Sequence, residues 1–247
     1  MLNFNGRATS PKTQSPKDNK VLFRAYKMTH FDSPFVCDGV LSVATCLGSL
    51  RQNWQVGEWI CAFSSIELKT IKGQEKLIYI AKVSEKLSLK EYWQQYPKRR
   101  PDKVDGGDNL YKFVLSEYVS IDKYGKQHKI HPSNKKDIWH RKNIKADCVL
   151  VSHEFYYFGE RYMQTLPMRS SIRVSRSGSK NCDKQIFENT LKFVRTNKDK
   201  CAKFKDEKGN VGGKDITYQS GAVSQGGGSC GSANQSGSCG GTSKGAC

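Results

Sequence analysis

Asp108 and Asn109 are the residues whose types and order most directly suggest chemistry, because they follow the pair Gly106-Gly107. An asparagine side chain can pair with adenine through two hydrogen bonds, and an aspartate can accept one from the amino group of cytosine. Asp108 could equally act as a general base beside an extruded nucleotide. The alternative is a turn in which both side chains hydrogen-bond to their own backbone. The residue types alone leave these interpretations open.

Cys46 and His153 are two further candidates for a reactive site. Cys46 precedes Arg51 by five residues, so positive charge could stabilise its thiolate; a buried thiol beside a surface arginine is the alternative. Arg51 is also a candidate phosphate ligand. His153 follows a predicted strand, where residues at the end of a sheet often meet ligands. The candidate catalytic residues are therefore Asp108, Cys46 and His153, and since the sequence has no C-x-x-C pair and no complete His–carboxylate set, no metal site is predicted.

Aromatic residues interleaved with basic ones are typical of surfaces that hold single strands or splayed bases. The candidate stacking residues are Trp93, Tyr111 and Tyr156, with packing in the core as the alternative. Asn109 is the candidate for reading a base edge. Residues 161–180 contain no acidic residue and indicate a segment that follows phosphates, with a solvated basic linker as the alternative. Its candidate phosphate ligands are Arg161, Arg169 and Arg173.

The 247-residue chain is strongly basic, with a formal net charge of +18. Residues 1–20 hold four basic and one acidic residue, and residues 198–247 hold seven basic and four acidic ones, so the segment between them carries +12. The charge therefore belongs to the predicted folded body. It favours an anionic partner, with nucleic acid first and acidic lipid or acidic protein second. A solvated basic surface without a specific partner is the alternative.

Composition divides the chain into three segments. Residues 1–20 contain prolines, basic residues and few large apolar ones, and are expected to be disordered. Residues 21–197 should form a single domain with its own core. Residues 198–247, Lys-rich and then Gly/Ser/Cys-rich, are expected to be a flexible tail. No apolar run is long enough for a membrane span and no apolar signal core is present, so we expect a cytoplasmic location and reduced thiols.

Hydrophobic periodicity predicts an α+β domain. Strands are predicted over 21–28, 39–45, 59–63, 76–83, 110–115 and 148–152. Both faces of 76–83 are apolar, which is typical of a central strand. Ser88 and Glu91 form a capping box that opens a helix over 89–96, and 183–197 has the apolar spacing of the longest helix. A short helix over 47–53 should bring Arg51 to a surface, and 116–146 gives few regular signals. Because strands outnumber helices without alternating with them, we expect a mixed or barrel-like sheet with a few flanking helices.

Five segments in this order resemble the nucleotide-modification-associated domains, and in particular the second family of that series. They are 42–46 with Arg51, 56–60, 76–88 with 91–93, 107–111 and 148–159. Each is modestly specific alone, but five in one order over residues 21–170 are much more so. The turn 57–60 and the strand 76–83 are also similar to the small PUA, ASCH and EVE barrels, which is the weaker analogy.

The resemblance implies a link to systems that make or handle modified bases in DNA, including defence-type systems. It therefore implies nucleic acid or a nucleotide as partner, with DNA favoured over RNA, and it supplies no reaction and no cofactor. Two segments depart from the family pattern. The loop at 32–35 reads Asp-Ser-Pro-Phe where an Asn-Pro-Phe-like turn is expected, and 47–49 reads Leu-Gly-Ser where a more basic segment is typical. Any phosphate contact in the second segment is then left to Arg51.

Three functions follow as hypotheses. The first, which we prefer, is a module that binds nucleic acid or a modified nucleotide for a base-modification system, because no complete set of nucleophile, base and orienting group is recognisable. The second is an enzyme of that system acting on the base. The third is a basic scaffold that binds acidic protein partners. The sequence leaves catalysis, cofactor and oligomeric state open.

Overall fold

The structure, a computed structural model, describes residues 23–68, 74–131, 134–135, 138–140, 144–145, 147–167, 180–181 and 184–215. In chain order the elements are β1 (Phe23–Met28), β2 (Phe35–Cys37), β3 (Val40–Val43), α1 (Gly48–Asn53), β4 (Trp59–Ser64), β5 (Leu77–Lys82), β6 (Glu85–Ser88), α2 (Leu89–Gln95), β7 (Tyr111–Val114), β8 (Glu117–Ile121), β9 (Gln127–Lys129), β10 (Trp139–His140), β11 (Ile144–Lys145), β12 (Cys148–Ser152), β13 (Glu154–Tyr157), β14 (Lys180–Asn181), α3 (Lys184–Thr196), β15 (Lys203–Lys205) and β16 (Val211–Gly212).

The largest sheet has seven strands in the order β14-β1-β4-β5-β13-β15-β16. β1 and β4 run parallel, and the other neighbouring strands run antiparallel. β5 lies in the middle and is buried on both faces, because its apolar residues occupy both sides of the pleat. The predicted central strand over 76–83 is confirmed.

A second sheet has four strands in the order β2-β3-β12-β6, all antiparallel. It is joined to the large sheet at a corner, because two paired strands pass from one sheet into the other. The chain leaves β5 through Val83 and Ser84 and enters β6, while opposite it the chain leaves β12 through His153 and enters β13. Strands that change sheets in this way need a local break in their pairing.

Three apolar cores separate four layers. One core lies between α3 and the large sheet and includes Phe23, Trp59 and Phe187. The second lies between the two sheets and is formed by residues such as Leu41, Ile60 and Phe155. The third lies beneath α2 and the outer sheet β7-β8-β9, on the far side of the four-stranded sheet. In the described residues no sheet closes into a barrel, so the mixed-sheet form of the predicted α+β fold is the one observed.

The predicted helices are confirmed. Ser88 caps α2, its side chain accepting a hydrogen bond from the Glu91 amide while the Glu91 carboxylate accepts one from the Ser88 amide. α3 occupies almost the whole of the predicted 183–197. None of the helices in the described part of the chain has the length and apolar character that a membrane span needs.

One expectation about the arrangement is wrong, and one segment contains strands that the sequence did not indicate. The helix over 48–53 forms, but it places Arg51 in the interior and not at a surface. The segment 116–146, which gave few regular signals, contains the strands β8, β9, β10 and β11. β9 is exposed and Ile121 is the one buried residue of β8, so their residues need not alternate between apolar and polar, and the period-2 pattern is missing.

The folded domain extends beyond the predicted boundary at residue 197. β15 pairs with β13 and β16 pairs with β15, so residues after α3 complete the large sheet. Cys201, Ala202 and Phe204 are buried there. The composition of the segment is Lys-rich, but its few apolar residues lie on the one face that meets the core. The predicted disordered residues 1–20 and the Gly/Ser/Cys-rich part of the predicted tail after residue 215 lie outside the described residues.

Replacing Phe204 by alanine tests this extension. Phe204 is 8 % exposed and stacks on Tyr156 with the ring centroids 6.3 Å apart. We expect Phe204→Ala to lower the free energy of unfolding by about 3 kcal/mol, measured by urea denaturation. Val211→Ala, on the neighbouring strand and largely exposed, is the control and should change it by less than about 0.5 kcal/mol. If both variants changed the free energy of unfolding equally little, the claim that β15 and β16 belong to the folded domain would be contradicted.

Candidate functional site

A cleft of about 470 Å³ lies beside the corner between the two sheets. Its wall comes from the end of β5, the start of β13, the turn before β4 and the loop between β15 and β16. The lining side chains that can be charged or can titrate are Lys82, His153, Glu154, Lys205, Asp206 and Glu207. The volume falls within the usual range for sites that bind small ligands. We refer to it as the His153 cleft.

His153 is held in a fixed orientation at this cleft. Its backbone amide donates a hydrogen bond to Ser84 Oγ at 2.9 Å, and its Nε2 lies 2.5 Å from Glu85 Oε1. The Tyr96 hydroxyl donates a hydrogen bond to the same Glu85 oxygen at 2.8 Å. A carboxylate can only accept, so Nε2 carries a proton, and in the neutral imidazole Nδ1 is then the acceptor. Because the His153 side chain is 41 % exposed, the imidazole is available to a ligand.

The phenol of Tyr96 helps to hold Glu85 in place. Burial, together with the hydrogen bond to Glu85 and its negative charge, raises the pKa of Tyr96 to about 12. The phenol therefore stays protonated near neutral pH and remains a donor to the carboxylate. Glu85 is thereby fixed by two partners, Tyr96 on α2 and His153 at the corner.

The carboxylates of the cleft are bound by two cations outside its wall. Arg195 on α3 lies 3.1 Å from Glu154 and 3.2 Å from Glu207. Lys198 lies 3.0 Å from Asp206. Burial acts to raise the pKa of Asp206, but the hydrogen bonds that its carboxylate accepts outweigh this and lower the pKa to about 2. All three acids thus have a cationic partner outside the wall.

The two lysines of the cleft have no such partner. Neither Lys82 nor Lys205 forms an ion pair with any residue in the described ranges. Lys82 lies directly opposite Glu154 in the sheet, but that carboxylate is bound to Arg195. Lys82 and Lys205 are therefore cations of the lining that no described carboxylate binds, and they are able to contact an anionic ligand.

The structure places Asp108 in the interior. It is 6 % exposed; its Oδ2 accepts a hydrogen bond from Ser42 Oγ at 2.5 Å and its Oδ1 accepts one from the Tyr92 hydroxyl at 2.7 Å. Arg99 Nε lies 3.6 Å from the same carboxylate. Burial raises the pKa of Asp108, opposed by the charge of Arg99 and by both hydrogen bonds.

Arg99 uses its remaining donors to bind the hairpin of β2 and β3. Its guanidinium donates to the carbonyl oxygens of Phe35, Cys37 and Val40 at 2.7 to 3.1 Å and lies over the Phe35 ring. The pair of Arg99 and Asp108 therefore joins the four-stranded sheet to the turn after α2.

Asn109 and Gly107 complete that connection. Asn109 is 1 % exposed and donates from Nδ2 to the carbonyl oxygens of Tyr92 and Tyr96, at the end of α2. A Cβ atom on Gly107 would lie 2.6 Å from the carbonyl oxygen of Arg99, so only glycine fits this close approach. Asp108 and Asn109 thus bind other segments of the chain, which differs from a turn whose side chains bind their own backbone, and their roles at a ligand stay predictions.

Arg51 is also fully buried. Its Nε donates to the carbonyl oxygen of Cys46 at 2.8 Å, and its Nη1 donates to the carbonyl oxygen of Cys148. Arg51 thus meets the backbone of Cys46 and ties α1 to β12. Cys46 itself is half-buried and does not line the His153 cleft.

The predicted aromatic and arginine contacts are dispersed. Tyr111 and Tyr156 are buried in different cores. Trp93 is half-buried, with the Arg100 guanidinium 4.0 Å above its ring. Arg161 is exposed. Arg169 and Arg173 lie outside the described residues.

Of the predicted site residues that the structure describes, His153 lies at the cleft. The structure also brings to the cleft or to His153 several residues that the sequence did not indicate. These are Lys82, Ser84, Glu85 and Lys205. Ser84 and Glu85 follow a strand pattern as a polar pair, which was a usable signal, but nothing in the sequence relates them to a histidine 68 residues later. Within the described ranges no group of three or more His, Cys, Asp or Glu residues is arranged to hold a metal ion.

Comparison with known proteins agrees with the resemblance seen in the sequence. The family model for nucleotide modification associated domain 2 matches residues 28–205. That range covers β2 to β15 and includes every residue of the His153–Glu85–Tyr96 cluster. No curated protein and no solved structure matches the chain.

The buried pair of Arg99 and Asp108 predicts a specific loss of stability. Asp108→Ala leaves the Arg99 charge buried without its carboxylate, so we expect the free energy of unfolding to fall by about 3 kcal/mol or more. Urea or thermal denaturation measures it. The matched control is Asp105→Ala, an exposed acid on the same turn, which should shift stability by less than about 0.5 kcal/mol. A variant of Asp108 as stable as the wild type would show that the pair does not anchor the turn.

Proposed function

Because the chain belongs to the nucleotide modification associated domain 2 family, we propose that it binds nucleic acid or a modified nucleotide for a system that modifies DNA bases, with DNA favoured over RNA. The His153 cleft is the proposed binding site. The observation that carries this proposal is the pair of uncompensated lysines beside an oriented imidazole, in a cleft whose own acids are already paired.

The charges of the cleft support a phosphate-bearing ligand. An ammonium group binds phosphate as a point charge with three donors, so it tolerates several phosphate orientations. Lys82 and Lys205 come from different strands and both line the cleft. A net charge of +18 on the chain would add long-range attraction to a polyanion and accelerate association.

His153 supports recognition of a base or sugar in addition to phosphate. With Nε2 protonated and bound to Glu85, Nδ1 is an acceptor for an amino or hydroxyl group. The lysines provide donors only, so His153 supplies the missing acceptor. The three side chains together match a ligand that has an anionic part and a neutral polar part, as a nucleotide does.

An enzyme acting on a base is the second candidate, and the His153–Glu85–Tyr96 cluster favours it. A carboxylate bound to one imidazole nitrogen keeps the other nitrogen basic and stabilises the imidazolium formed when it takes up a proton. His153 would then be the general base, and Glu85 and Tyr96 the residues that position it. A scaffold for acidic protein partners is the third candidate; it would use the same cationic surface without recognising a nucleotide.

The first prediction from this proposal concerns the lysines. Removing both in Lys82→Ala/Lys205→Ala should weaken binding of a short DNA oligonucleotide by about tenfold or more and reduce the dependence of log Kd on log salt by one to two units, because two phosphate contacts are lost. Fluorescence anisotropy over a salt series measures both quantities.

The control for this variant is Lys208→Ala. It removes a charge from the loop between β15 and β16, which forms part of the wall, but Lys208 itself does not line the cleft. We expect it to change the Kd by less than about twofold. If it weakens binding as much as the double variant, binding follows net charge and the cleft is not the site. If the wild type binds no oligonucleotide even at low salt, the scaffold function takes precedence.

The second prediction separates binding from catalysis. If the protein transforms a base, His153→Gln should lower turnover by about 10² to 10⁴-fold, whereas the loss of one hydrogen bond to the ligand should raise the Kd by about tenfold or less. Nucleoside composition of DNA incubated with the purified protein and the other components of its system measures turnover. His128→Gln is the matched control, because His128 also contacts a carboxylate, Asp122, at 2.7 Å but lies away from the cleft. Equal turnover in both variants would remove His153 from the chemistry.

A further inference from the structure

The turn between β7 and β8 presents an apolar side chain to solvent in a strained conformation. Val114 pairs with Glu117, so the turn contains only Leu115 and Ser116. Their φ angles are 45° and 70°. Two-residue turns with both φ angles positive are of type I′ and strongly favour Asn-Gly, because a Cβ with further side-chain atoms is strained there.

Packing does not compensate for this strain. Leu115 is 94 % exposed, the highest exposure among the large apolar residues that the structure leaves on the surface. A bulky residue with positive φ points to a functional constraint when nothing in the fold requires it. Leu115 therefore stands at the tip of the hairpin as a projecting apolar side chain, in place of the polar turn residues that would be more stable.

The surroundings of this tip are aromatic and basic. Phe113, two residues before Leu115, is 39 % exposed, and its ring packs edge-on against Tyr118 with the centroids 5.0 Å apart. Lys90 Nζ lies 5.5 Å from the centre of the Phe113 ring. Between 111 and 129 the outer sheet carries four lysines and two acids, and one of those acids, Asp122, is bound to His128.

We propose that the β7–β8 hairpin is a wedge for double-stranded DNA, in which Leu115 inserts between neighbouring base pairs and the lysines of the outer sheet contact the phosphates. This inference rests on the proposed function and extends it to a second contact surface. A two-stranded ribbon fits a groove of the duplex, and apolar side chains inserted at a base step unstack and bend it. Lys112 and Lys129, which lie opposite Val119 on the two strands that flank β8, would complement the phosphates on either side of such a step.

A wedge at this position would give the domain a way to deform a duplex and so make a base more accessible. Unstacking lowers the work needed to extrude a nucleotide, and a damaged or modified base is extruded more readily than a normal one. The hairpin and the His153 cleft would then have separate roles, the first acting on the stacking of the duplex and the second on a nucleotide.

The test uses the full chain and a duplex with 2-aminopurine at its centre, whose fluorescence rises when the base is unstacked. At saturating wild-type protein we expect a rise of several-fold. Leu115→Asn should lose most of this rise while its Kd for the duplex changes by less than about tenfold. Asparagine suits the left-handed conformation, so the variant should fold at least as well as the wild type.

Ser116→Gly is the matched control. It relieves strain at the other position of the same turn but keeps Leu115, so its fluorescence rise should equal that of the wild type. An undiminished rise with Leu115→Asn at saturation would overturn the wedge while leaving the proposed function intact. Loss of binding to anionic lipid vesicles by Leu115→Asn, without any change in the DNA signal, would also overturn it and indicate a membrane contact. A wild type that binds the short oligonucleotide but no duplex at low salt would overturn the wedge alone, and one that binds neither would contradict the proposed function itself.

Discussion

The break in pairing at the corner between the two sheets is the constraint on which the His153 cleft depends. On one side of the corner Glu154 pairs with Lys82, and on the other Val151 pairs with Glu85. Between these pairs the Ser84 amide donates to the Val151 carbonyl oxygen at 2.8 Å, and Ser84 Oγ accepts from the His153 amide at 2.9 Å. The serine hydroxyl thus replaces a ladder hydrogen bond that the bend removes. The two strands bend together at the corner. Side chains that would point to opposite faces of a flat sheet therefore lie at one edge of the cleft, where His153 contacts Glu85.

The outer layer supports this corner through buried charge. Arg99 and Asp108 hold the end of α2 and the following turn against the four-stranded sheet, and Tyr96, at the end of the same helix, holds Glu85. A buried ion pair adds little net stability compared with an apolar pair, but losing one partner is costly. Such a pair therefore fixes the geometry of the layer more than it stabilises the fold. The orientation of His153 is therefore linked to Asp108, a carboxylate that does not line the cleft. The link runs through Arg99 and the end of α2 to Tyr96 and Glu85.

Sequence patterns could predict what depends on local order. Alternation on both faces identified β5 as central, and the capping box identified the start of α2. The family followed from segments in a fixed order, which also needs no three-dimensional information. What could not be predicted depends on contacts distant in sequence. Asp108 was a candidate for contact with a ligand because nothing local reveals that Ser42 and Arg99 bind it in the interior, and the Glu85 contact of His153 spans 68 residues. The hairpin at 111–121 lacks the usual turn residues, and the lysines of β15 mask its strand pattern. Each of these elements departs from the composition that its conformation prefers.

The central claim is that a nucleotide occupies the cleft at the sheet corner. Mapping the residues that a bound oligonucleotide contacts tests this claim most directly. Titration of the ¹⁵N-labelled protein with a short DNA strand, followed by amide chemical shifts, reports every contact surface at once without any substitution. The account predicts concentration-dependent shifts at residues 82–85, 153–154 and 205–209, which line the His153 cleft or adjoin it. Binding that shifts amides elsewhere and leaves these three segments unmoved would contradict it.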